Sequence, residues 1–350
     1  MLQKRIVLIS IIATLLLFGI IVAIQLNFRN QMSQSVSLNS IAMISATNGW
    51  AVGESSQSNP LILHYDGNKW KATKNLISDP YISLSSIEMV SSTEGWIVGG
   101  TSLQLSNGSS QSRPSGIILH YIMGKWTIIS DKTVPPISVL HGLFILSARN
   151  IWAVGNEGTI LHYDGTRWTK ITSPAISNTL SFTAVSATSS NDVWVVGLSG
   201  ILLHYDGITW KNVTASIFDA GAGAANLLSI SMLSARDGWI VGNISNSSEG
   251  LILHYSGGQW QEIQNVSIDQ NLQYIFMLSP TDGWAVGDAG TLIHYTNYTW
   301  TNVKNSTGIS NILLSGISLT SSHDGWAVGD QGTILHYQNN IWNIYNNIQY

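Results

Sequence analysis

Residues 282–300, DGWAVGDAGTLIHYTNYTW, and residues 324–342, DGWAVGDQGTILHYQNNIW, are nearly the same segment. Repetition constrains a fold more than any other sequence feature, because each copy has to bury its apolar faces against another copy. The pattern occurs seven times. Its first Trp falls at Trp50, Trp96, Trp152, Trp194, Trp239, Trp284 and Trp326, at spacings of 42 to 56 residues, and its second at Trp70, Trp126, Trp168, Trp210, Trp260, Trp300 and Trp342. These fourteen are all the tryptophans of the 350-residue chain.

Each unit reads as four short strands, in the last copy SGISLTS, GWAVG, TILHY and IWNIY, rich in Ile, Val, Trp and Tyr and separated by Gly-containing turns. No segment after residue 25 has helical periodicity. A four-stranded unit of about 43 residues buries neither face alone, so seven of them are expected to close into an all-β, seven-bladed β-propeller. Nine residues before the first Trp stand Ile41, Ile87, Leu143, Val185, Ile230, Ile275 and Ile317, and two residues later Met43, Met89, Ile145, Ala187, Met232, Met277 and Leu319. Spacing by two puts both sets on one face of an innermost strand, against a neighbouring blade. A serine five residues before each first Trp, Ser45 to Ser321, is expected to satisfy a turn amide or a Trp or His nitrogen.

Seven His-Tyr pairs, from His64-Tyr65 to His336-Tyr337, invite a metal-site reading. On third strands they would stand about 10 Å out from the innermost strand, one per blade, too dispersed for the short bonds of a metal centre. They are read as blade-internal hydrogen-bonding residues, with the tyrosines on the opposite face. The run DAGAGAAN at 219–226 holds a G-x-G but no following Lys-Ser/Thr, so it is not read as a phosphate loop. No metal, cofactor or catalytic set is expected.

The sequence GWAVG, a short Gly turn and TILHY-DG-x-x-W resembles the repeats of the photosystem II assembly and stability factor family, and more loosely the Asp-box repeats of bacterial neuraminidases. The resemblance covers about residues 39 to 345. It implies the propeller fold. For the first family it also implies binding of a membrane-protein client, and for the second a carbohydrate-active site. The Asp-box proper has one more residue before its Trp than Asp66-Gly67, Asp164-Gly165 and Asp206-Gly207 allow here, and blades 2, 5, 6 and 7 lack that Asp. An arginine triad is also missing, since beyond the N-terminal segment only Arg113, Arg149, Arg167 and Arg236 occur.

Charged residues make up 10% of the chain and the net charge is −4, which offers no basic field to a nucleic acid. The chain has no cysteine, which excludes disulfides, thiolate metal sites and a lipidated Cys. Lys4 and Arg5 precede an uncharged run from Ile6 to Ile24. At about 1.5 Å per residue this run spans about 28 Å as a helix, enough to cross a bilayer once. The positive flank places the N-terminus in the cytoplasm. The expected organisation is a cytoplasmic stub and transmembrane signal-anchor over 1–25, a polar linker over 26–38 and an extracytoplasmic propeller over 39–350.

If the shared framework is structural, function belongs where the copies differ. The interval between paired tryptophans is 16 residues in four blades but 20, 30 and 21 in blades 1, 2 and 5. The extra length falls between the second and third strands, on the face that also carries the connections between blades. Candidate partner-binding residues are Leu103, Gln104, Leu105 and Arg113 in the longest insertion. Two more are Glu88, the sole carboxylate at its inner-strand position, and His141, outside the His-Tyr set. The expected function is a membrane-anchored, non-catalytic scaffold for a protein or other extracellular ligand. The alternative is a carbohydrate-binding or glycoside-hydrolase-like propeller.

Overall fold

Each repeat forms one antiparallel sheet whose four strands lie side by side in chain order. In the last repeat these are Leu314–Ser321, Asp324–Gly329, Ile334–Gln338 and Ile341–Ile344. The computed structural model describes residues 36–55, 59–74, 77, 81–101, 115–129, 135, 137–214, 225–245, 247–264, 266, 268–303 and 309–350. The apolar run at 6–24 and the linker as far as residue 35 lie outside them, whereas Ser37 and Leu38, placed in the linker by the sequence, already belong to the first strand, Ser37–Ser45. The seven innermost strands pack each against the next, and the seventh packs against the first, so the sheets close into a seven-bladed propeller. Among the described residues the named helical elements are single 3-10 turns at Leu198–Gly200 and Asp288–Gly290.

The fourteen tryptophans explain the closure. Within a blade, the first Trp is paired across strands with the His and the second with the Tyr, as in Trp239↔His254 and Tyr255↔Trp260. Because side chains alternate along a strand, the two pairs occupy opposite faces of the sheet, as expected for the tyrosines. The Trp-His face of each blade then packs on the Tyr-Trp face of the next. Trp239 stacks on its own His254 at 3.9 Å between centroids and meets Tyr295 and Trp300 of the following blade at 4.7 and 5.5 Å. The same contact runs from Trp326 of blade 7 to Tyr65 and Trp70 of blade 1, at 4.8 and 5.5 Å. All seven first tryptophans are buried, together with the inner-strand set Ile41, Ile87, Leu143, Val185, Ile230, Ile275 and Ile317.

Each His Nε2 is bonded to the side chain two residues before the first Trp. The partner is a carboxylate in five blades (Glu94, Asp192, Asp237, Asp282, Asp324) and an amide oxygen in two, Asn48 at 2.9 Å and Asn150 at 3.0 Å. The histidines are therefore orienting groups inside the blades. The repeated serines do one of the expected jobs: each hydroxyl accepts the amide two residues on, as in Thr47 N–H to Ser45 Oγ at 3.3 Å and His323 N–H to Ser321 Oγ at 3.2 Å. The second Gly of each GWxVG has its own reason. A Cβ at Gly329 would lie 2.0 Å from the carbonyl oxygen of Leu313, so only glycine permits the crossing of these two chains.

A feature absent from the repeat pattern locks the ring. Ile348–Gln349 adds a fifth strand to blade 1, running parallel to Trp70–Ala72, and Trp70 N–H donates to Asn347 O at 3.0 Å. At the inner rim Ser37 Oγ donates to Asp330 Oδ1 at 2.6 Å, and Gly332 N–H to Val36 O at 2.8 Å. The stretch Val36–Ser37 and the strand Ile348–Gln349 thus bind the same seam from inside and outside.

Two predictions follow from these contacts. Removing residues 346–350 deletes the outer tie but none of the aromatic junction, so thermal unfolding should fall by about 1–3 kcal/mol of stability while the native circular dichroism is kept. Trp326→Ala opens the junction itself and should cost about 3–5 kcal/mol. A truncation as damaging as Trp326→Ala would show that the aromatic seam does not dominate closure. The second concerns pH. Burial lowers the pKa of His64 and His162, the two with amide partners, below the usual 6.5. With a folded value below the unfolded one, their contribution is complete above about pH 6.5 and is lost as the pH falls through the folded values. Asn48→Asp with Asn150→Asp should favour the imidazolium and shift the midpoint of acid unfolding, followed by tryptophan emission, to lower pH. An unchanged midpoint would remove these histidines as the cause of acid sensitivity.

Candidate functional site

The wall of the central channel is built by a local irregularity in the innermost strands. In every blade the register against the second strand skips one residue near the strand start, as between Leu38↔Gly53 and Ser40↔Val52. The skipped residues are Asn39, Ser85, His141, Thr183, Leu228, Gln273 and Ser315. A bulge re-aims its extra side chain, and all seven line one cavity of about 250 Å³ at the mouth of the channel. Strands start on the face that carries the connections between blades and the inserted loops, so this mouth opens on the loop-rich face.

Below the bulges lie two further rings. The first is Ser40, Ser86, Gly142, Ala184, Ser229, Tyr274 and Gly316, and the second is Ala42, Glu88, Phe144, Ser186, Ser231, Phe276 and Ser318. Where these are serines they frequently bridge blades, accepting an edge amide of the next inner strand. Ser318 takes Met43 N–H at 3.0 Å, Ser186 takes Met232 N–H at 3.1 Å and Ser229 takes Ile275 N–H at 3.3 Å. Where they are large they fill the channel. Glu88, Tyr274 and Phe276 line both the upper cavity and a lower one of about 280 Å³, so they form the waist between the two.

Glu88 accepts no hydrogen bond among the described residues, and neither cavity is lined by Lys or Arg. Its position in the channel leaves the side chain half-buried, and the reduced contact with solvent pushes its pKa up to about 7. Tyr274 is half-buried as well, and desolvation together with the nearby Glu88 charge pushes its hydroxyl pKa up. The structure therefore brings Glu88 together with His141 in one cavity, but does not leave them alike. His141 Nε2 is bonded to Asn156 Oδ1 at 2.9 Å, which also accepts Ser181 Oγ at 2.7 Å, so the imidazole is tied to the rim. Leu103, Gln104, Leu105 and Arg113 lie outside the described residues. The stem of their insertion is closed by Thr101 N–H to Ser115 O at 3.0 Å.

The Asp-Gly turns of the third and fourth strands are structural. Asp164 Oδ1 accepts the amides of Thr166 and Arg167 at 2.8 and 3.0 Å, while Gly165 takes φ 94°. These bonds lower the Asp164 pKa to about 2, the Thr166 hydroxyl contributing most. Asp66 and Asp206 do the same and each adds a lysine, Lys71 or Lys211, at 2.6 Å. Among the described residues no group of three or more His, Asp or Glu is placed to hold a metal ion. Sequence reasoning reached Glu88 and His141 but missed Tyr274. The signal for it was a Tyr in a ring otherwise made of Ser, Gly and Ala, legible only once the bulge sets the register.

No protein-family model matches the chain, and no curated relative matches it. Solved structures do. YCF48 bound to D1 peptide is similar over 87% of this chain and 93% of its own, with a TM-score of 0.63 and 17% identity. YCF48 from Cyanidioschyzon merolae covers 88% and 97%, with 0.59 and 14%. The extracellular domain of the putative hybrid two component system BT4673 from B. thetaiotaomicron has a TM-score of 0.62 and 16% identity over 87% of this chain, which spans 38% of that one. At these identities the likeness is one of fold, and the chain is a seven-bladed β-propeller whose structural neighbours include YCF48.

Proposed function

We propose that the chain is a membrane-anchored, extracytoplasmic and non-catalytic propeller that holds a segment of a partner protein on its loop-rich face. The observation that carries this reading is the coincidence of two features on one face: the channel mouth formed by the seven bulge residues, and the extra length between second and third strands in blades 1, 2 and 5. Loops on a rigid scaffold are where recognition concentrates. A neighbour of the same fold is known with a peptide bound, YCF48 with a D1 peptide, which supports a peptide as the kind of object such a propeller holds. The carboxylates of the Asp-Gly turns are committed to their own turn amides, so these turns lend no support to the carbohydrate-active alternative. Anchoring rests on the uncharged run at 6–24 behind Lys4 and Arg5.

Two measurements test this. The chain has no cysteine, so Ile208→Cys, at a turn residue 86% exposed on the face away from the loops, gives a single label site. In intact cells a membrane-impermeant maleimide should label it, and labelling only after lysis would overturn the topology. A photo-crosslinking residue at Ser315 or Ser115, on the loop-rich face, should yield one and the same protein adduct from either position and none from position 208. Adducts from 208 alone, or from none of the three, would remove the loop-rich face as the binding surface.

A further inference from the structure

The channel waist is chemically unlike the rest of the ring. Six of the seven residues equivalent to Glu88 are uncharged, and six of the seven equivalent to Tyr274 are Ser, Gly or Ala. Glu88 belongs to blade 2 and the pair Tyr274 and Phe276 to blade 6, three blades away around a ring of seven. The carboxylate and the aromatic pair therefore enter from opposite walls and share both cavities, with Phe144 of blade 3 beside them in the upper one. A half-buried carboxylate with reduced access to water is costly unless something pairs with it. Here nothing among the described residues does: it accepts no hydrogen bond, no Lys or Arg lines either cavity, and His141, which shares the upper cavity, is held by Asn156.

We propose that the central channel binds a small organic ammonium ion, with its charge against the Glu88 carboxylate and its alkyl groups between the rings of Tyr274, Phe276 and Phe144. A lone carboxylate supplies one unit of opposite charge. Aromatic walls supply the favourable face for a weakly hydrated cation, which is how ammonium groups are held where carboxylate ligands are few. A hard metal ion would need several more oxygen ligands converging on one point, and among the described residues no group of three or more His, Asp or Glu is placed to hold one. The two cavities, about 250 and 280 Å³, suit a ligand of a few heavy atoms and leave no room for a folded partner. The site lies at the waist, below the mouth that the preceding section gives to a partner and sharing its upper cavity, and the ammonium titration reads it whether or not the loop-rich face holds a protein.

The test is titration calorimetry of the full chain in detergent with tetramethylammonium, n-butylammonium, the uncharged isostere 3,3-dimethyl-1-butanol, and Ca2+. Saturable binding of at least one ammonium probe is expected, about tenfold weaker or worse in Glu88→Gln. Glu88→Ser, which installs the residue that blades 4, 5 and 7 carry at this position, should lose the probe equally. Both variants should unfold at or above the native temperature, showing that the loss is not misfolding. Affinity should fall as the pH drops below about 7 and the carboxylate takes up a proton. Phe276→Leu should weaken tetramethylammonium binding while sparing the fold. The proposal is overturned if Glu88→Gln keeps native affinity, if the uncharged isostere binds as well as the cations, or if Ca2+ binds while both ammonium probes are silent.

Discussion

The packing of one blade's first tryptophan on the next blade's tyrosine and second tryptophan is the contact on which the rest of this protein depends. Fully buried aromatic side chains are worth several kcal/mol each. Here every one of them is shared between two blades. An open stack of such blades would leave an unpartnered Trp-His face at one end and a Tyr-Trp face at the other. Closing the ring joins them: Trp326 meets Tyr65 and Trp70 with the geometry that Trp239 shows toward Tyr295 and Trp300. The specific ties at the seam, from Ser37 to Asp330 and from Asn347 to Trp70, hold a join that the aromatic faces already define.

The fold was legible because this contact is written seven times in a residue type used for nothing else. The paired tryptophans give blade number, the strict alternation around them gives the two faces, and the Gly-containing turns give the strand ends. The bulges were not read. Asn39, Ser85, His141 and their equivalents have no residue type common to all seven, and their mark is a break in the apolar alternation, which steps by three from Leu38 to Ile41 and by two to Met43, and likewise in the other copies. The paired strands show that this step is a bulge. The fifth strand of blade 1 was hidden for a different reason: Ile348–Gln349 has no counterpart in the other repeats, so a reading guided by the repeat stops before it. Among the site candidates, the departure at Glu88 was visible as a charge in an uncharged column. The aromatic half of the waist was only partly so, because Phe276 stood in that same column while Tyr274 belonged to a ring not yet recognised.

Repetition also separates structural chemistry from the chemistry of a site. The histidines have partners suited to polarised catalysis, and their carboxylate-imidazole pairs would attract attention in a single copy. Seven histidines, each packed on a buried indole and five of them with a carboxylate partner, are part of the blade. The Asp-Gly turns follow the same logic, with their carboxylates satisfied by amides two and three residues on. What remains is the set of positions where the copies disagree. Those positions are the inserted loops of one face and the waist of the channel, and both are reached from the same mouth.

Glu88 makes the waist the stronger of the two signals on thermodynamic grounds. Its folded pKa of about 7 lies above the ordinary carboxyl value, so the unfolded chain gives up this proton first as pH rises. The propeller then loses stability from about pH 4.5 upward until the folded group has also ionised, beyond about pH 7. Serine, alanine or phenylalanine at the same position, as other blades carry, bears no such cost, and the serines there even bridge to the next blade. A residue that weakens its own fold at neutral pH is not explained by the fold. An ammonium ion beside the carboxylate reverses the balance, because it favours the ionised form and is itself held only when that form is present.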